Sequence, residues 1–273
     1  MGSSPSSTTK IMETIELKKL LKEIGDSVHS MNTIAVALSI MPNDNIQISQ
    51  GLDISWHPKQ LDNSKITSRS FAERSAIVYA AESLFEYLDS ISKNPFWTYS
   101  NINFKGEEKK ALKVYRFLRQ IPDVKEEMAI LSELLCHWRN RIVHSSTSNA
   151  KLSSSQRDFL IKQKQMIYDN FHHFDIDIAL KNYEQNKITL KDSSTLITIA
   201  IKCARLVDEF YFAGISSITD YKIFKNKLIE DSVFCKIFKQ KDSVKRTRQL
   251  DTWFGMNFPY IEQDDRIKIL ENI

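Results

Sequence analysis

Apolar side chains recur along most of this chain at steps of three and four residues, the spacing that lines one face of an α-helix. Residues 11–40 put Leu17, Leu21, Ile24 and Val28 on one face with Leu20 beside them, and the pattern turns more continuously apolar over 34–38. Residues 41–65 break it with Pro42, Asn43, Asp44, Gly51 and Pro58, and read as a long surface connection with room for a short strand. A second helix is predicted over 68–92, with Phe71, Val78, Ala81, Leu84, Phe85, Leu88 and Ile91 inward and Asn94-Pro95 as its stop. A short basic helix follows over 107–119. Pro122 stands where a helix can start and run to 143, with Val124, Met128, Leu131, Leu135, Trp138 and Ile142 as its buried seam. A Ser/Thr/Asn-rich loop over 145–155 leads into a helix over 153–172. Another covers 192–213, capped from within 191–194. The last sixty residues read as shorter apolar-basic helices broken at Gly214, Gly255 and Pro259. The prediction is an all-α fold: a tail over 1–10, a bundle over 11–213 and a helical extension over 214–273.

Composition narrows this little further. The 6 Gly and 6 Pro among 273 residues are few for an all-β fold, which needs many tight turns. Cys136, Cys203 and Cys235 lie far apart inside apolar patterns, which fits reduced core thiols in a cytoplasmic protein. The N-terminal ten residues have no apolar stretch of the secretory kind, and no apolar run approaches a membrane span. No membrane partner, cofactor or metal is implied. A net charge of +4 permits a polyanionic partner without demanding one.

Chemistry concentrates in Arg139-Asn140-Arg141-Ile142-Val143-His144, at the end of the fourth helix. Arginine is a fixed cation with forked donors, and histidine exchanges protons near neutral pH. Glu133, His137, Asn140 and His144 fall at steps of four, three and four and form one polar stripe, flanked by Arg141. Arg139 lies on an adjacent edge, and a helix ending early lets His144 swing toward it. Cationic residues at a helix C-terminus are also favoured by the macrodipole alone, so the spacing by itself has a purely structural reading.

Arg139-Asn140 with Ile142-Val143-His144, on the helix after Glu126-Glu127-Met128, closely resembles the RNxxxH signature of HEPN-domain proteins. Those are small all-α bundles with Arg-x(4–6)-His at the end of one helix. Leu84-Phe85-Glu86-Tyr87-Leu88-Asp89 is similar to an acidic-aromatic segment of many bacterial HEPN proteins, and the resemblance spans about residues 66–175. It implies a HEPN-like helical bundle that acts as a homodimer, with two Arg–His pairs lining one cleft. It also implies metal-independent cleavage of single-stranded RNA by the ribose 2′-hydroxyl, and a role as a toxin or anti-phage effector, with an antitoxin or defence-system protein as a further partner. Under that resemblance His144 exchanges the proton, Arg139 stabilises the phosphorane, and Asn140 orients the imidazole or holds a phosphate oxygen. Arg141, His137 and Glu86 are candidate substrate contacts, Glu86 through positioning the motif arginine. Some HEPN toxins carry a tyrosine two residues after the histidine, where a partner nucleotidyltransferase silences them; Ser146 stands there in this chain. A non-catalytic HEPN dimerisation or nucleotide-binding module, and a subunit of a larger defence complex, are the alternatives.

Other candidates carry two readings each. Trp97 and Tyr99 are placed to stack on bases or to pack in the core. His172, His173, Asp175 and Asp177 suggest a metal cluster only weakly against a polar helix end. Residues 222–248 hold nine Lys/Arg against three Asp/Glu, with Phe224, Phe234 and Phe238 interleaved, and suit either a phosphate backbone or a solvated basic face.

Overall fold

Two long helices, α1 (Ile15–Ile40) and α2 (Leu61–Ser92), run antiparallel along one side of the molecule. A computed structural model describes residues 13–43, 46, 51, 52, 54–94, 96, 97, 109–144, 151–216, 221–258, 261 and 263–271. The protein is all-α, and no strand occurs among the described residues. The predicted tail over 1–10 and the loop residues 145–150 lie outside them.

The chain continues through α3 (Lys110–Leu118), α4 (Glu126–Val143), α5 (Ser154–Lys162), α6 (Lys164–Asn170) and α7 (Ile176–Glu184) to the long α8 (Leu190–Ser216). Among the described residues four shorter helices follow: α9 (Tyr221–Glu230), α10 (Ser232–Phe238), α11 (Ser243–Asn257) and α12 (Gln263–Glu271). Helix α4 is the centre, packed against α2, α3 and α8, and every residue from Met128 to Trp138 is buried. Such enclosure suits a helix apolar on most sides; Ser132 and Glu133, carried inward, are bonded, while His137 Nδ1 has no hydrogen-bond partner among the described residues. Ser132 meets the Cys203 thiol of α8 at 3.5 Å, and Glu133 accepts from Gln156 Nε2 at 2.5 Å.

Local chemistry explains six of the helix starts among the described residues. The Thr14 hydroxyl accepts from the Leu17 amide, Asp175 from Ile178, Asp231 from Phe234 and Asp242 from Lys245. Ser153 and Gln156 form a reciprocal capping box at α5. At α8 the cap is one turn earlier than 191–194: the Asp192 carboxylate accepts from the Thr189 amide, and the Thr189 hydroxyl accepts from the Asp192 amide.

Several expectations change. Helix α2 starts at Leu61 rather than 68, anchored where the Lys65 ammonium donates to the Met41 carbonyl and Asn43. Phe71 faces solvent, because Ala72, Ala76 and Ala80 hold the buried positions and let α1 come close. The 153–172 helix divides at Gln163, α7 lies where no helix is predicted, and Gly214 and Gly255 sit inside α8 and α11 rather than ending them. Pro259 is outside the described residues. The extension shares the bundle's apolar core: Phe96, just after α2, packs on Phe224 and Phe258 at ring distances of 4.9 and 5.0 Å.

Candidate functional site

Helix α4 ends because His144 leaves helical geometry, with φ −121° and ψ 55°, while its amide still donates to the Asn140 carbonyl at 2.9 Å. That turn swings the imidazole back beside Arg139. Arg139 Nη1 lies 3.4 Å from His144 Nε2 and donates to Asn140 Oδ1 at 3.1 Å. The 3.4 Å approach is the long limit of a hydrogen bond and sets the Nε2 edge of the imidazole against the guanidinium. Arg139, Asn140 and His144 thus form one cluster, with His144 exposed and the Arg139 side chain only 17% exposed.

A carboxylate stands against the opposite edge of the guanidinium. Arg139 Nε forms an ion pair with Glu82 of α2 without hydrogen-bond alignment, and Lys110 also approaches Glu82 at 4.0 Å. Nη2 has no partner among the described residues. A forked cation held at one edge presents its remaining donors in a defined direction, the preorganisation that anion recognition needs. No sequence motif singles out Glu82. Its one readable signal is that it lies one turn before Glu86, on the same face of α2.

Glu86 itself points elsewhere: its carboxylate pairs with Lys19 of α1, and it does not reach Arg139. Arg141 is also turned away from the cluster. Its guanidinium lies 4.2 Å from the Tyr183 ring centre and donates to the Tyr183 carbonyl, tying α4 to the end of α7. Trp138 also meets that ring edge-on at 5.0 Å. His137 is 3% exposed and bonds to Glu133 at 3.2 Å, beneath the start of α5. The polar stripe therefore splits: Glu133 and His137 are interior, while Asn140 and His144 reach the surface. Ser146 lies outside the described residues.

The remaining candidates are placed as follows. Trp97 is buried, stacked on Phe117 at 5.0 Å and edge-on to Phe210, while Tyr99 is outside the described residues. His173 packs on Tyr168, Asp175 caps α7 and Asp177 pairs with Lys164. Among the described residues no three His, Cys, Asp or Glu side chains are grouped to hold a metal. Phe224 and Phe234 are buried within the C-terminal helices, so the interleaved aromatics of 222–248 serve packing. Burial pushes the Cys136 thiol far up and the Cys203 thiol to about 12, so neither is a thiolate nucleophile.

One buried carboxylate lies apart from the cluster. Asp208 of α8 accepts from the Thr14 amide at 2.9 Å, from the Thr14 hydroxyl and from the Tyr87 hydroxyl at 3.3 Å. Burial raises it to about 6 despite those donors, which act in the opposite sense. No described helix is long and apolar enough to cross a membrane. Comparison with protein-family models, with curated proteins and with solved structures finds no match to this chain.

Proposed function

We propose that the protein is a metal-independent endoribonuclease of HEPN type, cutting single-stranded RNA at Arg139 and His144. The observation that carries this reading is the 3.4 Å approach of Arg139 Nη1 to His144 Nε2 at an exposed helix end. Neutral His144 accepts the proton of a ribose 2′-hydroxyl, and that oxygen attacks the adjacent phosphorus. The P–O5′ bond breaks, leaving a 2′,3′-cyclic phosphate, and the departing 5′-oxygen takes a proton from the protonated His144 of a second copy, so the two imidazoles exchange protonation states in the step. Arg139 Nη2 and Asn140 meet the non-bridging oxygens, where charge grows in the transition state. DNA lacks the nucleophile and is not a substrate. By the same resemblance the working unit is a homodimer, and the biological setting is a toxin or an anti-phage system with an antitoxin or defence partner.

A second reading has its own observation. The Arg139 side chain is largely covered and its Nε is committed to Glu82, as in an arginine that holds two helices together. In that case the helix end is a dimerisation or nucleotide-binding surface of a non-catalytic module. Incubating the protein with a single-stranded RNA oligonucleotide in EDTA separates the two. Fragments with 2′,3′-cyclic phosphate ends, and an intact DNA of the same sequence, support the nuclease. RNA that stays whole supports the non-catalytic module.

A further inference from the structure

The outer seam between α1 and α2 opens into a trough of about 610 Å³. It runs from Phe71 to Glu86 on α2, fifteen helical rises or about 22 Å of helix. Small side chains such as Ser30, Ser75 and Ala76 line it, so a third helix can approach closely. Its two ends differ. At one end Phe71 and Ile34 stand up from the surface, 71% and 38% exposed, with Tyr79, 63% exposed, further along. The other end carries Glu23, Asp26, Glu82 and Glu86 and no basic lining residue. Lys19, Lys110 and Arg139 approach three of these carboxylates from outside the trough, while Asp26 has no ion pair among the described residues.

We infer that this trough docks an amphipathic helix of about four turns from a partner protein, apolar at i, i+4 and i+7 and carrying lysine or arginine at one end. The apolar end supplies the contact area, and the acidic end, where Asp26 is without an ion pair among the described residues, supplies direction and selectivity. A second copy of this chain is a poorer occupant. Its most basic helical segment, in α11, turns Leu250, Trp253 and Phe254 into its own core. The exposed apolar part of α1, residues 32–40, carries no basic residue at all. The docking reading does not rest on nuclease activity, and it is measured without RNA.

The test is selection from a displayed library of fifteen-residue helix-biased peptides against the full chain. The enriched peptide is then synthesised with a fluorophore and titrated by anisotropy. Phe71→Ala and Asp26→Lys change exposed residues, and circular dichroism confirms that both variants stay folded. Enriched peptides with the stated apolar spacing and a basic end, binding each variant at least tenfold more weakly and losing affinity in high salt, support the assignment. No enrichment, enrichment of acidic peptides, or equal binding to wild type and both variants overturns it. A dimer by light scattering that Phe71→Ala converts to a monomer also overturns it, by giving the trough to a second copy.

Discussion

Glu82 of α2 forms an ion pair with the Nε edge of Arg139 on α4, while Nη1 is turned toward Asn140 and His144. The motif arginine is thus aimed by a helix distant in sequence. Glu82→Gln keeps the shape and removes the charge that orients the fork. RNA cleavage is expected to fall about tenfold to a hundredfold, equivalent to ~1.4–2.7 kcal/mol of transition-state stabilisation. The loss should appear in kcat more than in KM. Glu86→Gln, at a residue paired with Lys19, should cut RNA close to the wild-type rate.

Arg141 should behave as a structural residue. Arg141→Ala removes the contact with the Tyr183 ring and the bond to its carbonyl, so urea denaturation should show a loss of about 1–3 kcal/mol. Cleavage by the remaining folded protein should stay near wild type. A full loss of cleavage with unchanged stability would instead put Arg141 on the substrate.

Asp208 gives the fold a pH dependence of determined sign. Its carboxyl is raised from 3.8 to about 6 in the folded protein. A raised acid contributes its stability in full below the unfolded value, and that contribution is lost as pH rises through the folded one. Wild type should therefore gain on Asp208→Asn by on the order of 2–3 kcal/mol as pH falls from 7 to 4. Parallel urea denaturation curves across that range check it. A constant difference would show that the carboxyl titrates at its ordinary value.

Gly25 lies inside α1, exposed, and a Cβ added there meets nothing within 4 Å. Gly25→Ala should stabilise the protein by about 1 kcal/mol through helix propensity alone, read as a higher urea midpoint.

Long apolar periodicities made the architecture readable, and the buried seam from Val124 to Ile142 places α4 well. Errors arose where periodicity is silent or drifts. The first turns of α2 bury nothing, so no apolar step marks their start at Leu61. Phe71 fits a heptad with Val78, yet the alanines one step on take the interior, because close approach of α1 selects small side chains there. Helix α7, where no helix is predicted, does carry signals: Asp175 caps it, and Ile176, Ala179, Leu180 and Tyr183 line its inner face. Within the candidate site, the turn of His144 toward Arg139 follows from an early helix end. The burial of His137 under α5, and the choice of Glu82 over Glu86, depend on which helices meet. Single-chain spacing does not encode that.

The decisive measurement is the rate of single-stranded RNA cleavage in EDTA by wild type, His144→Ala and Arg139→Ala, each shown by thermal melting to be folded. The expected result is cleavage by wild type to 2′,3′-cyclic phosphate ends, with a loss of at least about a hundredfold in both variants. Wild-type rates in either variant, or no cleavage by a folded wild-type protein, would contradict catalysis at the Arg139–His144 pair.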